Sequence, residues 1–147
     1  MDDGIVDISG KDITRRECTA RGKIVLKRST IEEIKKKNIK KGDPIEAAKI
    51  SGILAVKNTP YVIPETHNIP LESVKFHFDI QEEYISVSCT VKTTYRTGVE
   101  IEAIHGVMIS LLTLWDMVKY LEKDSDGQYP STKIMEISVM EKKKEFI

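Results

Sequence analysis

One apolar stretch, residues 98–123, carries charged residues near both of its ends. Glu100 and Glu102 lie near its start, and Asp116 and Lys119 lie near its end. Apolar residues recur between them at helical spacing around more than half of the circumference, which predicts a buried helix. Charged side chains are seldom fully buried unless they are paired or used in chemistry, so these four residues are candidates for a functional site.

Asp116 and Lys119 are three residues apart, so on a helix their side chains are neighbours and can form an ion pair. Such pairs are common and are worth less than ~1 kcal/mol on a surface, which favours a structural role. The flanking residues Leu114, Trp115 and Val118 indicate instead a dry wall, where loss of solvation would shift protonation and suit proton transfer. Catalysis is therefore the alternative to a structural ion pair.

Glu100 and Glu102 differ by about 200° on a regular helix, so they face one pocket only if this segment is extended. Glu102 and Asp116 lie within about 40° of each other around the axis, but they are fourteen positions apart, which spans ~21 Å. One small substrate cannot easily touch both in one chain. If both act, we expect a site shared between subunits; otherwise one of them is a cap or a surface acid.

The segment 40–44 places Lys40 and Lys41 beside a helix N-terminus, where free amides and the helix dipole attract anions such as phosphate. It lacks the glycine-rich phosphate-binding pattern, and a solvated charge run is the commoner explanation. His67 lies in a loop with three prolines that can present it, although a lone loop histidine is usually a surface residue. No histidine has a partner at metal-ligand spacing, so we predict no metal site.

The composition narrows the class of protein. The chain has 23 basic and 23 acidic residues, so no overall field favours nucleic acid or an anionic membrane. Cys18 and Cys89 lie far apart without metal-type spacing, which fits a reducing compartment and predicts a cytoplasmic protein. The helical stretch is interrupted by His105, Ser110 and Thr113, and no leader opens the chain, so we predict no membrane span.

The 147 residues are the length of one ordinary domain, in which residues 1–20 predict a flexible arm because they carry little periodicity. The remaining patterns predict strand 23–28, a short helix from Ser29 to Asn38, a helix from the cap Asp43 to about Lys57, strands 74–80 and 85–92, helix 98–123 and strand 134–140. This order is that of an α+β, ferredoxin-like βαββαβ sandwich, with two main helices on one face of an antiparallel sheet.

Six segments occur in collinear order over nearly the whole chain. They are residues 7–17, Lys41-Gly42-Asp43, residues 48–53 with Lys57, residues 63–67, Thr97-Gly98-Val99-Glu100-Ile101-Glu102-Ala103, and Leu112-Thr113-Leu114-Trp115-Asp116-Met117-Val118-Lys119. Together they resemble the molybdenum cofactor biosynthesis protein C family, and the last two are the most specific. Members of that family are cyclic pyranopterin monophosphate synthases.

The resemblance implies a lyase of the phosphorus-oxygen type. Its substrate would be a cyclised dihydro form of GTP, rearranged to cyclic pyranopterin monophosphate with release of pyrophosphate. It implies a homohexamer built as a trimer of dimers with active sites at subunit interfaces, and neither nucleic acid nor membrane as a partner. No redox cofactor is implied, while a divalent cation accompanying the phosphates is left open.

The resemblance also implies site residues. Asp116 matches the family's active-site acid, and Lys119 and Lys41 match lysines for proton transfer and triphosphate contact. The implied substrate-binding residues are Glu65, Thr66, His67, Glu100, Ile101, Glu102, Lys11, Arg16, Lys57 and Lys142.

Two departures from the family pattern stand out. The loop that usually reads Leu-Cys-His-Pro is Glu65-Thr66-His67-Asn68 here, which adds an acid and removes a cysteine. The chain ends with residues 142–147 and lacks the usual glycine-rich tail. A non-catalytic ferredoxin-like ligand-binding module, or an inactive family member, is therefore the alternative function. RNA recognition is disfavoured because the strand pair has no exposed aromatic set for base stacking.

Overall fold

The computed structural model describes residues 3–147. Its elements are β1 (Thr14–Val25), α1 (Arg28–Lys35), α2 (Pro44–Val62), β2 (Leu71–Ile80), β3 (Tyr84–Tyr95), α3 (Glu100–Glu122) and β4 (Lys133–Phe146). The strands form one sheet in the order β2-β3-β1-β4, and every pair is antiparallel. Helices α2 and α3 pack against each other and on the sheet. The predicted α+β, ferredoxin-like arrangement is confirmed.

Strand β1 is longer than the sequence predicted. It begins at Thr14 and is the central strand, paired with β3 on one side and β4 on the other. The prediction of a flexible arm as far as residue 20 is therefore wrong for residues 14–20. The sequence did not predict this part of the strand because charged residues such as Arg15 and Glu17 occupy it. They alternate with Thr14, Cys18 and Ala20, which are buried and face the core.

Helix α2 and strand β4 also pass their predicted ends. Helix α2 runs to Val62, with Pro60 in its last turn, where the Thr59 hydroxyl donates 3.0 Å to the Ala55 carbonyl. A proline removes one backbone donor, and side-chain donors of this kind satisfy helix carbonyls beside the gap. Strand β4 reaches Phe146 because β1 provides partners along its whole length, up to the pair Thr14–Phe146.

The core lies between α3 and the inner face of the sheet, as the predicted buried helix requires. Buried residues of α3 include Ala103, Val107, Leu111, Leu114 and Val118, and they form one cluster with Ile24 and with Ile85, Val87, Cys89 and Val91 of β3. By length and composition alone α3 would suffice to cross a bilayer, contrary to the expectation from its polar interruptions. Its ten buried residues make it the central helix of the core instead.

Helices α2 and α3 run antiparallel at close approach. Ser51 and Thr113 hydroxyls are 2.6 Å apart, and the Thr59 hydroxyl lies 3.0 Å from His105 Nδ1. A Cβ at Gly106 would lie 2.6 Å from Val56 Cγ2, so this position requires glycine for the contact. The end of α2 therefore lies beside the start of α3, and the start of α2 lies beside the end of α3.

A fully buried carboxylate holds the last turn of α3. Glu122 accepts hydrogen bonds from the backbone amide of Lys27 (3.1 Å), from the Thr132 hydroxyl (2.6 Å) and from the Thr30 hydroxyl. These donors belong to the start of α1 and to the segment before β4. Glu122 thus fixes the end of α3 to two other elements, and no pattern in the sequence predicted it.

Candidate functional site

One end of α3 carries a carboxylate between two ammonium groups. Lys41 Nζ lies 3.2 Å from each carboxylate oxygen of Asp116 and 3.3 Å from its carbonyl oxygen. Lys119 Nζ lies 3.3 Å from Asp116 Oδ1, so the predicted ion pair within the helix is confirmed. We call Lys41, Asp116 and Lys119 the Asp116 cluster.

The expected dry wall around this pair is wrong for the isolated chain. The side chains of Lys41, Asp116 and Lys119 are 45%, 55% and 43% exposed. The reason is the helix phase: Leu114 and Val118 point into the core, while Trp115 packs on Tyr129 with ring centroids 5.1 Å apart. Only a further surface placed over the cluster would exclude water from it.

Hydrogen bonds from Lys41, and then from Lys119, hold the pKa of Asp116 below its ordinary value. The carboxylate is therefore ionised at neutral pH. Two ammonium groups beside it also attract an anion, because their charge exceeds that of the single carboxylate. The cluster can thus combine proton transfer with phosphate binding.

The turn between α1 and α2 places Lys41 at Asp116. Gly42 has φ of 115°, a conformation that other residues rarely adopt. Asp43 caps α2 by accepting hydrogen bonds from two amides of its first turn, at 3.0 and 3.2 Å, as its position before Pro44 predicted. On the other side of Lys41, the backbone amide of Lys40 donates a 2.9 Å hydrogen bond to the hydroxyl of Tyr120.

The other end of α3 carries two acids with unused hydrogen-bonding capacity. The helix begins at Glu100, so both acids lie in its first turn. Glu102 is only 3% exposed, and within residues 3–147 Glu102 Oε2 and Glu100 Oε1 are buried without a hydrogen-bond partner. Glu100 Oε2 lies 3.5 Å from Lys142 Nζ. The Glu100 carboxylate folds back over Gly98, where a Cβ would collide with it.

Burial raises the pKa of Glu102, and the charge of Glu100 adds to the rise, while the backbone amide of Glu102 and the nearby His67 act in the opposite direction. A buried carboxyl oxygen without a partner is costly, and a functional role is one explanation for such a group in a folded protein. His67 Nε2 lies 2.7 Å from the Val6 carbonyl oxygen. We call Glu100, Glu102, His67 and Lys142 the Glu102 cluster.

The other predicted substrate-binding residues lie outside the Asp116 cluster. Arg16 lines a cleft of about 100 Å³ together with Glu100 and Lys142. The carbonyl oxygen of Lys11 accepts a 3.2 Å hydrogen bond from Arg96 Nε. Lys57 lines a separate cleft beside β2. The Thr66 hydroxyl donates a hydrogen bond to the Ile63 carbonyl. Glu65 is exposed, and Ile101 is 43% exposed.

The two clusters cannot act on one small molecule within a single chain. Because α3 is continuous from Glu100 to Glu122, the fourteen-position separation of Glu102 and Asp116 places them ~21 Å apart. Among the described residues, no group of three or more histidine, cysteine or acidic side chains is placed to hold a metal ion. The chain therefore carries two separate charged clusters, one mainly cationic and one mainly acidic.

The sequence reasoning missed two residues that hold the backbone at or beside predicted site residues. Arg96 holds the carbonyl of Lys11, and Tyr120 holds the backbone beside Lys41. Tyr120 lies one helical turn after Asp116, and this spacing is the signal that could have identified it. Arg96 lies just outside β3 and offered no periodic signal.

Comparison with known proteins gives a consistent result over nearly the full length. The MoaC family model matches residues 5–145. The chain is 51% identical to a protein of Thermoplasma acidophilum over 140 residues, which cover 95% of this chain and 98% of the relative. It is 53% identical to one of Sulfurisphaera tokodaii (97% and 94% covered) and 54% identical to one of Archaeoglobus fulgidus (95% and 90% covered). All three are described as probable cyclic pyranopterin monophosphate synthases. The chain belongs to the MoaC family.

Proposed function

We propose that this protein is a cyclic pyranopterin monophosphate synthase of molybdenum cofactor biosynthesis. It converts a cyclised dihydro form of GTP to cyclic pyranopterin monophosphate and releases pyrophosphate. The proposal is supported by full-length similarity to relatives with that name. The structural observation that carries it is the Asp116 carboxylate held between two lysine ammonium groups.

The Asp116 cluster suits the phosphate end of this reaction. Expelling pyrophosphate requires positive charge near the leaving oxygens, and Lys41 and Lys119 supply it. Ring opening and reclosure require a group that accepts a proton and one that donates it. The ionised Asp116 is the acceptor in this proposal, and a lysine beside it is the donor.

The Glu102 cluster suits the ring end of the same substrate. A guanine-derived ring presents N–H donors, and the unpartnered oxygens of Glu100 and Glu102 are acceptors for them. His67 and Arg16 lie at the same end of α3 and are the proposed additional contacts. Without a hydrogen-bond partner these buried oxygens cost the free protein stability. Hydrogen bonds from the substrate would remove that cost on binding.

We propose that the complete site forms between two subunits of a homohexamer, a trimer of dimers. The ~21 Å between the clusters supports this arrangement, because a second chain is needed to bring them together. The outer face of α2 and α3 also exposes large apolar side chains: Ile50, Leu54, Met108 and Leu112 are 47–56% exposed. Contiguous apolar surface of this kind is typical of protein interfaces.

The proposed chemistry rearranges and cleaves bonds without net oxidation, so we propose that no redox cofactor takes part. A divalent cation, if one is used, would be held through the substrate phosphates. We propose a cytoplasmic enzyme, as the free and buried Cys18 and Cys89 suit a reducing compartment.

The test is direct turnover. The purified protein is given the cyclised dihydro-GTP precursor, and pyrophosphate and the cyclic pyranopterin are measured, with and without a chelator. We expect both products in equal amounts from the wild type. Binding of the precursor without either product, in an assay where an established synthase succeeds, would favour the non-catalytic module instead.

A further inference from the structure

The turn that carries Lys41 is attached to α3 through a tyrosine. The hydroxyl of Tyr120 accepts a 2.9 Å hydrogen bond from the backbone amide of Lys40, the residue immediately before Lys41. The ammonium of Lys40 lies 5.1 Å from the centre of the same ring. The ring itself packs against the hydrophobic core, so it is a fixed support for the turn.

The contact between Lys41 and Asp116 needs such a support. Both side chains are about half exposed, and an exposed ion pair contributes too little to hold a turn in one conformation. A lysine side chain is long and flexible, so its reach depends on where its backbone is held. The turn contains two left-handed residues, Lys37 and Gly42, on either side of the anchored segment.

Tyr120 lies on the same helix as Asp116, the residue that Lys41 contacts. Tyr120 lies one turn after Asp116, so the helix that carries the acid also holds the backbone from which Lys41 reaches it. The distance between the Lys41 ammonium and the Asp116 carboxylate is therefore set through a single rigid element, α3. We propose that Tyr120 is a positioning residue: its hydroxyl fixes the turn so that the Lys41 ammonium meets both carboxylate oxygens of Asp116. The effect of Tyr120 on turnover rests on the proposed function, whereas its effect on the position of Lys41 does not.

The decisive variant is Tyr120→Phe, which keeps the ring and its packing and removes only the acceptor. Tyr84→Phe is the matched control, because the Tyr84 ring also lies under a lysine, with Lys23 Nζ 4.8 Å from its centre. Thermal unfolding establishes that both variants are folded. The Lys40 amide is followed by hydrogen exchange, and the Asp116 carboxyl is titrated by NMR.

We expect faster exchange of the Lys40 amide and a higher pKa of Asp116 in Tyr120→Phe, because Lys41 would no longer donate to the carboxylate consistently. Neither change should occur in Tyr84→Phe. In a Lys41→Ala background the pKa of Asp116 should already be higher than in the wild type, with only Lys119 still donating to it, and adding Tyr120→Phe should raise it no further. These readouts do not require turnover, so they remain decisive even if the proposed function fails.

With the active enzyme, Tyr120→Phe should lower kcat about five- to tenfold with little change in KM, as expected for the loss of one aligned hydrogen bond. An unchanged pKa of Asp116 in Tyr120→Phe would by itself overturn the positioning role, whatever the turnover. An equal further rise of the pKa in the Lys41→Ala background would also overturn it, because Tyr120 would then act on Asp116 independently of Lys41.

Discussion

Lys41 Nζ lies 3.2 Å from both carboxylate oxygens of Asp116, although 75 residues separate them in the chain. The contact joins the turn before α2 to the end of α3, and Lys119 completes it from within the same helix. The two ammonium neighbours keep the carboxylate ionised, and the net positive charge of the three groups attracts an anion. The following experiments test this cluster, its counterpart at the start of α3, and the contacts that hold both.

Replacing Asp116 tests the proton acceptor. Asp116→Asn keeps the size of the side chain and removes its charge, and we expect kcat to fall at least about 100-fold. Thermal unfolding and size-exclusion chromatography should be unchanged, because the ion pairs are exposed. Asp79→Asn is the control, since Asp79 is an exposed acid of β2 that also accepts side-chain hydrogen bonds. Loss of assembly in Asp116→Asn alone would show that the pair is structural.

Mixing two inactive variants tests whether subunits share a site. Chains with Glu102→Gln and chains with Asp116→Asn are unfolded, mixed and reassembled. If each site takes one cluster from each subunit, random mixing should restore up to about a quarter of wild-type activity. Mixing Asp116→Asn with Lys41→Ala should restore none, because both changes damage the same cluster. No recovery in verified mixed oligomers would contradict a shared site.

The pH dependence of stability tests the burial of Glu102. Burial raises the pKa of Glu102, and the charge of Glu100 raises it further. Below the ordinary glutamate pKa, about 4, the side chain is neutral in both the folded and the unfolded protein, so it costs no stability. The cost grows as the pH rises from there and is complete above the raised pKa of the folded protein. Glu102→Gln should therefore raise Tm near pH 8, and the gain should shrink as the pH falls towards 4. Turnover should be lost throughout this range. Glu46→Gln, at an exposed acid, should show no such trend, and a gain independent of pH would contradict the explanation.

Removing the Glu122 carboxylate tests what holds the end of α3. Glu122→Ala would leave the Lys27 amide and the hydroxyls of Thr30 and Thr132 without their acceptor. We expect a loss of about 2–4 kcal/mol in the free energy of unfolding, measured by chemical denaturation. Glu33→Ala, at a partly buried acid that accepts one exposed hydrogen bond from Asn38, should cost well under half as much. Equal losses would show that burial adds nothing at Glu122.

A methyl group at Gly98 tests the position of Glu100. The backbone at Gly98 is outside the left-handed region, so Gly98→Ala is tolerated there, but the new Cβ would displace the Glu100 carboxylate. Lys142 would lose its 3.5 Å partner, and we expect KM to rise about three- to tenfold with a small change in kcat. Gly10→Ala adds the same atom in open space and should change neither. An unchanged KM in Gly98→Ala would remove Glu100 from the list of substrate contacts.

Local patterns in the sequence predicted what depends on neighbours in the chain. The apolar spacing predicted α3, the three-residue spacing predicted the pair of Asp116 with Lys119, and Asp43 before Pro44 predicted the start of α2. Helix geometry has a fixed rise and period, so the ~21 Å between Glu102 and Asp116 followed from their numbers alone. The segments that resemble the MoaC family carried the family and the function with them.

Contacts between distant segments were decided only by the tertiary structure. The Lys41–Asp116 and Tyr120–Lys40 contacts, the three donors to Glu122, and the pairing of β1 on both sides all join elements whose relative positions no local period determines. They depend on how α3 packs across the sheet and where each loop returns. The sequence by itself therefore determined the fold class and the distance between the two clusters. Packing brought Lys41 to Asp116 and Tyr120 to the backbone beside Lys41. Both contacts join segments far apart in the chain, so they depend on how the helices and loops are arranged in three dimensions.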